Sequence, residues 1–438
     1  MSRLPMFASG AALLLASCGS DPDPAQYGAS PDIPAAEKSL LPHMTVANPA
    51  EWGDARPTVP DGYTISAIAT DLKVPRQTLV LPNGDILVAE GSGASAPRLR
   101  PKDVIANIIK SRGKTSVKGG DRLTLLRDAD GDGVYEGRTV FAEGLNAPYG
   151  LAFVDNAIYV ANQDALIRLS YREGQTRQEG PQVKVTDLPA KVNHHWTKAM
   201  AASLDGRFLY VGNGSNSNVG ERGMEIEEDR ATIWQIDRTT GMHRIYASGI
   251  RNPSALTVQP GSGALWAAVN ERDEIGPNLA PDYITAVRDG GFYGWPYSYW
   301  GRHVDPRVMP QRPDKVATAI TPDYSIGSHV APLGIAFSSA AMGTRFADGA
   351  FVGQHGSWNR RKPVGYKVVF VPFRGGRPAG PPVDFVSGFM GTDGKTRGRP
   401  VGVTLDPRGA LIVADDLSNT IWRVTPVAAP VANGARGA

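Results

Sequence analysis

Seven histidines occur in the chain: His43, His194, His195, His243, His303, His329 and His355. Four of them stand at turns beside short apolar strands. His194 and His195 precede the run KAMAASLDGRFLYVGN, His329 lies two residues before an Ala-Pro, and His355 closes a strand in QHGSWNR. Imidazole titrates near working pH, so a histidine on such a loop can take up or release a proton during turnover. A single histidine is more often a hydrogen-bonded structural residue. Histidines at comparable positions of several repeats outweigh that reading. No zinc-binding helix motif and no Gly-x-Ser-x-Gly elbow is present.

Arginines recur in the same way. Arg251-Asn252 falls in GIRNPSAL, and Arg397 and Arg399 fall in TRGRPVG, each just before a strand and on the same side of it as His195 and His329. Guanidinium groups converging on one mouth call for an anionic partner; the plainer alternative is surface arginine beside a proline turn. A separate acidic turn, DADGDGVYE, sets Asp128, Asp130 and Asp132 at alternate positions before Gly133. That spacing aims several oxygens at one hard cation. Thr139 stands where a twelfth-position glutamate would complete the loop, so the match to a calcium loop is partial, and a solvated acidic turn is the alternative.

These residues need a scaffold that brings distant segments to one place. One phrase recurs six times: a turn, a short apolar strand, a tight turn and a second apolar strand. The copies are Val74–Glu90, Ala147–Asn162, Lys198–Asn213, Asn252–Asn270, Ala331–Gly356 and Arg399–Asp415. Further strands, TIWQIDR, YKVVFVPF and TIWRVTP, lie between copies and can close a blade. The pattern predicts an all-β, six-bladed β-propeller over 61–426, with long inter-blade insertions at 91–122, 271–328 and 375–398 walling one mouth of the channel. A β-sandwich has no need of the repeated phrase.

Composition agrees. Fifty glycines and 35 prolines suit many tight turns. A net charge of +3, with no basic run interleaved with aromatics, argues against nucleic-acid partners. The single cysteine, Cys18, excludes an intrachain disulfide. It ends MSRLPMFASGAALLLASC, with the layout of an export signal too short for a stable membrane span. Its last four residues match a bacterial lipoprotein box, which makes Cys18 the lipidation site. Gly19, rather than Asp, follows it and points to the outer membrane. Residues 19–60 read as a Pro-, Asp- and Ala-rich tether, and 427–438 as a flexible tail.

Taken together in order and spacing, GIRNP, the Gly-Pro of 270–283 followed by GGFYGWP, HVAPLG, QHGSWNR and RGRPVGV resemble the soluble sugar dehydrogenases that depend on pyrroloquinoline quinone (PQQ), in particular the sorbosone dehydrogenase-like branch. The resemblance covers most of residues 61–426. It implies that His195 is the general base and that Arg251, Asn252, Arg397 and Arg399 contact the cofactor. It also implies that Gly276 and Pro277 offer backbone carbonyls to a calcium ion. His329 is assigned to the cofactor's surroundings. So is Lys198, which with Ala199 replaces a Gly-Arg common in the family. Asp128, Asp130 and Asp132 would hold a second calcium.

The implied partners are a sugar or sugar-derived aldehyde or alcohol, and an external electron acceptor such as a cytochrome or membrane quinone. The membrane is reached only through a lipid anchor, and the expected location is the periplasm. No Gly-x-Gly-x-x-Gly opens a strand–helix unit, which disfavours nicotinamide chemistry. Two alternatives use the same scaffold. One is a calcium-dependent, lactonase-like hydrolase with ligands among Glu90, Asn146, Asn213, Asn270 and Asp415; the other is a non-catalytic, glycan-binding envelope propeller.

Overall fold

The computed structural model describes residues 23–37, 44–93, 113 and 117–427. Cys18, the signal segment, most of the 91–122 insertion and nearly all of the C-terminal tail lie outside them. The described chain forms six antiparallel sheets in a closed ring, a six-bladed β-propeller. Blade 1 consists of Pro75–Val80, Ile86–Glu90, Arg122–Arg127 and Gly137–Ala142. Blades 2, 3 and 4 open with Gly150–Val154, Met200–Ala202 and Pro253–Val258. Blade 5 opens with Pro332–Phe337. Blade 6 pairs Pro400–Leu405, Leu411–Asp415 and Thr420–Pro426 with Tyr63–Ala69 from the other end of the chain, which closes the ring.

Period-two alternation explains the packing. In Ile86–Glu90, Ile86 and Val88 pack with Ile412 and Ala414 of blade 6, whereas Leu87 and Ala89 pack with Ile158 and Val160 of blade 2. The second strands of blades 1, 2, 4, 5 and 6 are therefore buried on both faces, and face-to-face blade packing forms the core. The six predicted copies are the two inner strands of the six blades. The three further strands are third strands, and each has a fourth outside it.

The first strands line the channel and run away from one mouth; the second strands return to it. The starts of the former and the ends of the latter, with the loops attached to them, therefore meet at that mouth. Below it, a cavity of about 370 Å³ is lined by residues of the six first strands, among them Leu79, Phe153, Leu256, Ile335 and Leu405.

Two sequence expectations are corrected. The 271–328 and 375–398 stretches are not pure insertions. The first contains the outer strands of blade 4, Pro281–Ala286 and Tyr324–Ser328, and the second contains Val383–Val386 of blade 5. These strands are short and flanked by long irregular loops, which hid them.

Nor are residues 23–37 and 44–60 a free tether. Tyr27 and Gly28 pair with Ile326 and Ser325 on the edge of blade 4, the Glu37 N–H donates to the Ile275 carbonyl, and Asn48–Pro49 pairs with Lys395–Thr396. Backbone pairing compensates for the segment's lack of apolar periodicity. Among the described residues, no helix is long and apolar enough to cross a membrane.

Candidate active site

His195 lies on the loop entering blade 3. Its Nδ1 is 2.7 Å from the carbonyl oxygen of Ser215 and 3.1 Å from the Ser215 hydroxyl. A carbonyl can only accept, so Nδ1 carries the proton and Nε2 bears the lone pair. Among the described residues, none hydrogen-bonds to Nε2. Burial holds the imidazole well below its ordinary pKa, and the charge of Arg251 pushes it the same way. The histidine is therefore neutral at pH 7, with a basic nitrogen available.

Ser215 is fixed in turn. Its N–H donates to the Arg251 carbonyl at 2.7 Å, and its hydroxyl donates to the Ser217 carbonyl at 2.6 Å. Gly214 separates His195 from Asn252: a Cβ there would stand 2.3 Å from Asn252 Oδ1 and 2.6 Å from the His195 Cβ. Asn252 Oδ1 is buried and has no hydrogen-bond partner among the described residues. Such an orphaned acceptor costs about 1–3 kcal/mol unless water or a ligand donates to it.

Across the mouth is a second cluster. Asp416 receives Arg76 Nη1 at 2.7 Å and Arg399 Nε at 3.0 Å, and it lies 3.0 Å from His355 Nε2. Arg399 Nη1 also donates to the Gly113 carbonyl. Arg76 also sits 5.2 Å over the Trp196 ring, and Gly93 packs on that same indole. Tyr149 meets Trp196 edge-on and donates to the Ser254 carbonyl at 3.0 Å, bridging blades 2 and 4 at the floor of the mouth. Burial pushes its phenol up to about 12, so it stays a donor.

Arg251, His329 and Gly276 form a third group, joined through Asp273. Arg251 is buried, and its guanidinium bonds to Asn218, Asp273 and the carbonyls of Asn270 and Glu271. It supports the site from behind. His329 Nε2 lies 3.0 Å from the Gly276 carbonyl, and its Nδ1 lies 3.5 Å from Asp273. Pro277 is half-buried in the same loop.

Two assigned residues have partners of their own. Lys198 occupies the register filled by Pro75, Pro148, Pro253, Pro332 and Pro400 in the other five repeats, and all five prolines are buried. Its side chain is likewise fully buried, donating to Asn193 Oδ1 beside Arg230. Arg397 pairs with Asp393, four residues away, so it does not converge with Arg399.

Asp128, Asp130 and Asp132 offer carboxylate oxygens within 4.8 Å of one another. Their turn joins the third and fourth strands of blade 1, at the end remote from the mouth. The two carboxylates of the lactonase-like ligand set are committed to partners within the protein. Glu90 accepts from Nε and Nη2 of Arg122 and from the Thr124 hydroxyl. Asp415 accepts from the Arg399 N–H, the Ser418 hydroxyl and Trp422.

Sequence reasoning missed Arg76, Asp416, Trp196 and Ser215. Register held a signal for Arg76, which follows the same proline that anchors the other first strands.

Whether a tricarboxylate quinone suits this mouth is decided by its lining. Two arginines share one carboxylate, a buried acceptor is orphaned, a glycine lets that acceptor pack close to a neutral base, and an indole borders the opening. That lining fits. The calcium reading fits less well. Gly276 and Pro277 offer two carbonyls where calcium takes six to eight oxygens, and that of Gly276 already faces His329.

Residues 313–427 match the family model described as TrAA12-like, and residues 57–261 match a domain of unknown function, DUF7133. An uncharacterized protein of Borreliella burgdorferi is 26% identical over 373 residues, which is 83% of this chain and 94% of that one. The aldose sugar dehydrogenase YliI of Escherichia coli is 30% identical over 110 residues, 25% of this chain and 28% of that one. The PQQ domain of a pyranose dehydrogenase from Coprinopsis cinerea superposes with a TM-score of 0.69 at 18% identity, covering 90% of this chain and 100% of that one. A calcium structure of a family AA12 carbohydrate-active enzyme from Trichoderma reesei gives 0.65 at 20% identity, covering 88% and 99%. These structural likenesses establish the fold.

Proposed function

We propose that the chain is a PQQ-dependent sugar dehydrogenase of the soluble propeller type, in its sorbosone dehydrogenase-like branch, exported and held to the bacterial envelope by a lipid on Cys18. Its substrate is a sugar or a sugar-derived aldehyde or alcohol. The observation that carries this reading is the neutral His195, with Nδ1–H committed to Ser215 and Nε2 open beside the unpaired Asn252. The relatives support it by what they are: the C. cinerea structure is a PQQ domain, and the E. coli protein is an aldose sugar dehydrogenase.

When bound, PQQ would supply a two-electron acceptor for the hydride leaving the substrate carbon. The rest is the work of this chain. His195 Nε2 takes the hydroxyl proton, and Ser215 holds the imidazole in the tautomer that can do so. Asn252 Oδ1 accepts from a cofactor or substrate donor. Arg76 and Arg399 balance the cofactor's carboxylates, and Trp196 and Tyr149 wall and floor the mouth. A calcium ion at the Gly276 and Pro277 carbonyls would need its remaining ligands from the cofactor and water. Electrons then pass to a cytochrome or membrane quinone.

The test is a titration of the purified protein with PQQ, with and without calcium, followed by dye-linked oxidation of a panel of aldoses and sugar aldehydes. Saturable binding with calcium-dependent dye reduction supports the reading. No binding at micromolar PQQ with calcium present overturns it.

A further inference from the structure

The loop that carries His195 turns through two left-handed residues, Val192 at φ 67° and Asn193 at φ 51°. Asparagine tolerates that region. A β-branched valine is an outlier there and stays only where its surroundings hold it. Much of the holding comes from one side chain, Arg230, in the connection between the second and third strands of blade 3. Its Nη1 donates to the Pro189 carbonyl at 2.5 Å and to Asn193 Oδ1 at 2.9 Å, and its Nη2 donates to the His195 carbonyl at 2.7 Å. One planar guanidinium therefore grips the loop before, within and after the turn. Asn216, from the same connection, adds two bonds: its Oδ1 accepts from the His194 N–H, and its Nδ2 donates to the Lys191 carbonyl.

Stability alone does not call for an arginine here. Arg230 is 4% exposed, its hydrogen bonds go to neutral oxygens, and its Nε is buried with no partner among the described residues. Glu227 attracts it, but that carboxylate is bonded to the Asn216 N–H and the Ser217 hydroxyl. Lys198, also buried, donates to the same Asn193 Oδ1 at 3.2 Å, so two basic side chains share one neutral acceptor. A buried charge with an unpaired donor costs stability, and a well-packed apolar side chain would serve the core better. Burial lowers the Arg230 pKa only to about 10, so the charge is present at pH 7. That charge also acts on the base. The charged and titratable groups acting on the His195 imidazole are Arg251, His194 and Arg230, and all three disfavour its protonation.

We propose that Arg230 is a positioning residue for the base: its guanidinium holds the left-handed turn that carries His195 and so fixes where Nε2 stands in the mouth. The proposal rests on the reading of His195 as the general base. Lysine cannot take over this task, because a single ammonium keeps the charge but does not span three oxygens on both sides of the turn.

Three forms of the full chain decide this: wild type, Arg230→Met and Arg230→Lys. Dye-linked assays with PQQ and calcium give kcat, KM and the pH profile of kcat/KM. Nitrogen NMR spectra of the imidazoles in PQQ-free protein give the tautomer of His195, whose signals are identified by their loss in His195→Ala. Arg230→Met is expected to lower kcat on the order of 10–100-fold, with KM and PQQ affinity within a few-fold of wild type. It should also move the acid limb to higher pH, because a repelling charge is gone, and mix the two neutral tautomers of His195. Arg230→Lys should show the same loss of kcat and the same mixing, with the acid limb near its wild-type position. Wild-type kcat in either variant overturns the proposal. So does a kcat that falls only in step with PQQ affinity and melting temperature, which is a general loss of structure. If the Met variant does not fold, the Lys variant decides by the same split. A wild-type protein that binds no PQQ refutes the dehydrogenase reading instead. The NMR arm then decides by itself: mixed tautomers in the variants support the positioning role, and a single unchanged tautomer overturns it.

Discussion

His195 and Ser215 are joined twice: the ring Nδ1 lies 2.7 Å from the Ser215 carbonyl, and the His195 N–H donates to the same oxygen at 3.3 Å. A loop entering blade 3 and the loop leaving its second strand are thereby locked into one unit, and the imidazole has one tautomer available.

Removing this base should abolish turnover while sparing the pocket. For His195→Ala, kcat should fall on the order of 10²–10⁴-fold, with the affinity for PQQ within a few-fold of wild type. Absorbance titration and dye-linked assay read the two separately. Full activity in the variant would remove His195 from the mechanism.

The acid limb of activity should lie low. Burial and Arg251 depress the His195 pKa, so the base stays neutral as pH falls through its ordinary value of 6.5 and activity fades only as pH falls through the lower folded value. Arg251→Met should move this limb to higher pH, because a repelling charge is gone. Arg251→Lys keeps the charge and should leave the limb near the wild-type position. The pH profile of kcat/KM decides. Matching shifts in both variants would mean that lost packing, not charge, is responsible.

Gly214→Ala should push the base and Asn252 apart, since the new methyl would lie 2.3 Å from Asn252 Oδ1. A loss of kcat on the order of 10–100-fold is expected, with a lower melting temperature, because overpacking a buried position costs about 1–3 kcal/mol. Unchanged kinetics would show that the close packing of His195 and Asn252 is not used.

Asp282 is buried, with its two oxygens accepting from the Glu271 and Ala331 N–H groups, and its pKa is pushed up to about 7 by burial. A carboxyl raised above its unfolded value favours the folded state at low pH, and that advantage is lost as pH rises from about 4 to 7. The loss is a few kcal/mol at ~1.4 kcal/mol per pH unit. Denaturant unfolding at both pH values should show a smaller decline for Asp282→Asn than for wild type.

Ring closure should depend on the outermost strand of blade 6. A chain lacking residues 1–70 loses Tyr63–Ala69, and with it the packing of Tyr63 on Phe346 and Phe385. Its melting temperature should fall on the order of 10 °C or more. A chain lacking residues 1–60 keeps the strand and should remain folded.

The repeated phrase was enough to read the propeller, because strand alternation and turn residues are local and occur once per blade. The same register put His195, Asn252 and Arg399 at strand starts, and their loops do meet at one mouth. What the sequence could not supply was direction and pairing. Lys198 reads like a ligand-binding cation, yet it sits where the other repeats bury a proline, and its side chain follows that direction between blades. Arg397 and Arg399 are two residues apart, but one finds Asp393 and the other Asp416, which stands beside it at the end of the neighbouring strand. The Pro-rich lead-in has no apolar period, and it is ordered by backbone bonds to edges of blades that form hundreds of residues later. Local chemistry set the blades; the closing of the ring decided which side chains share a site.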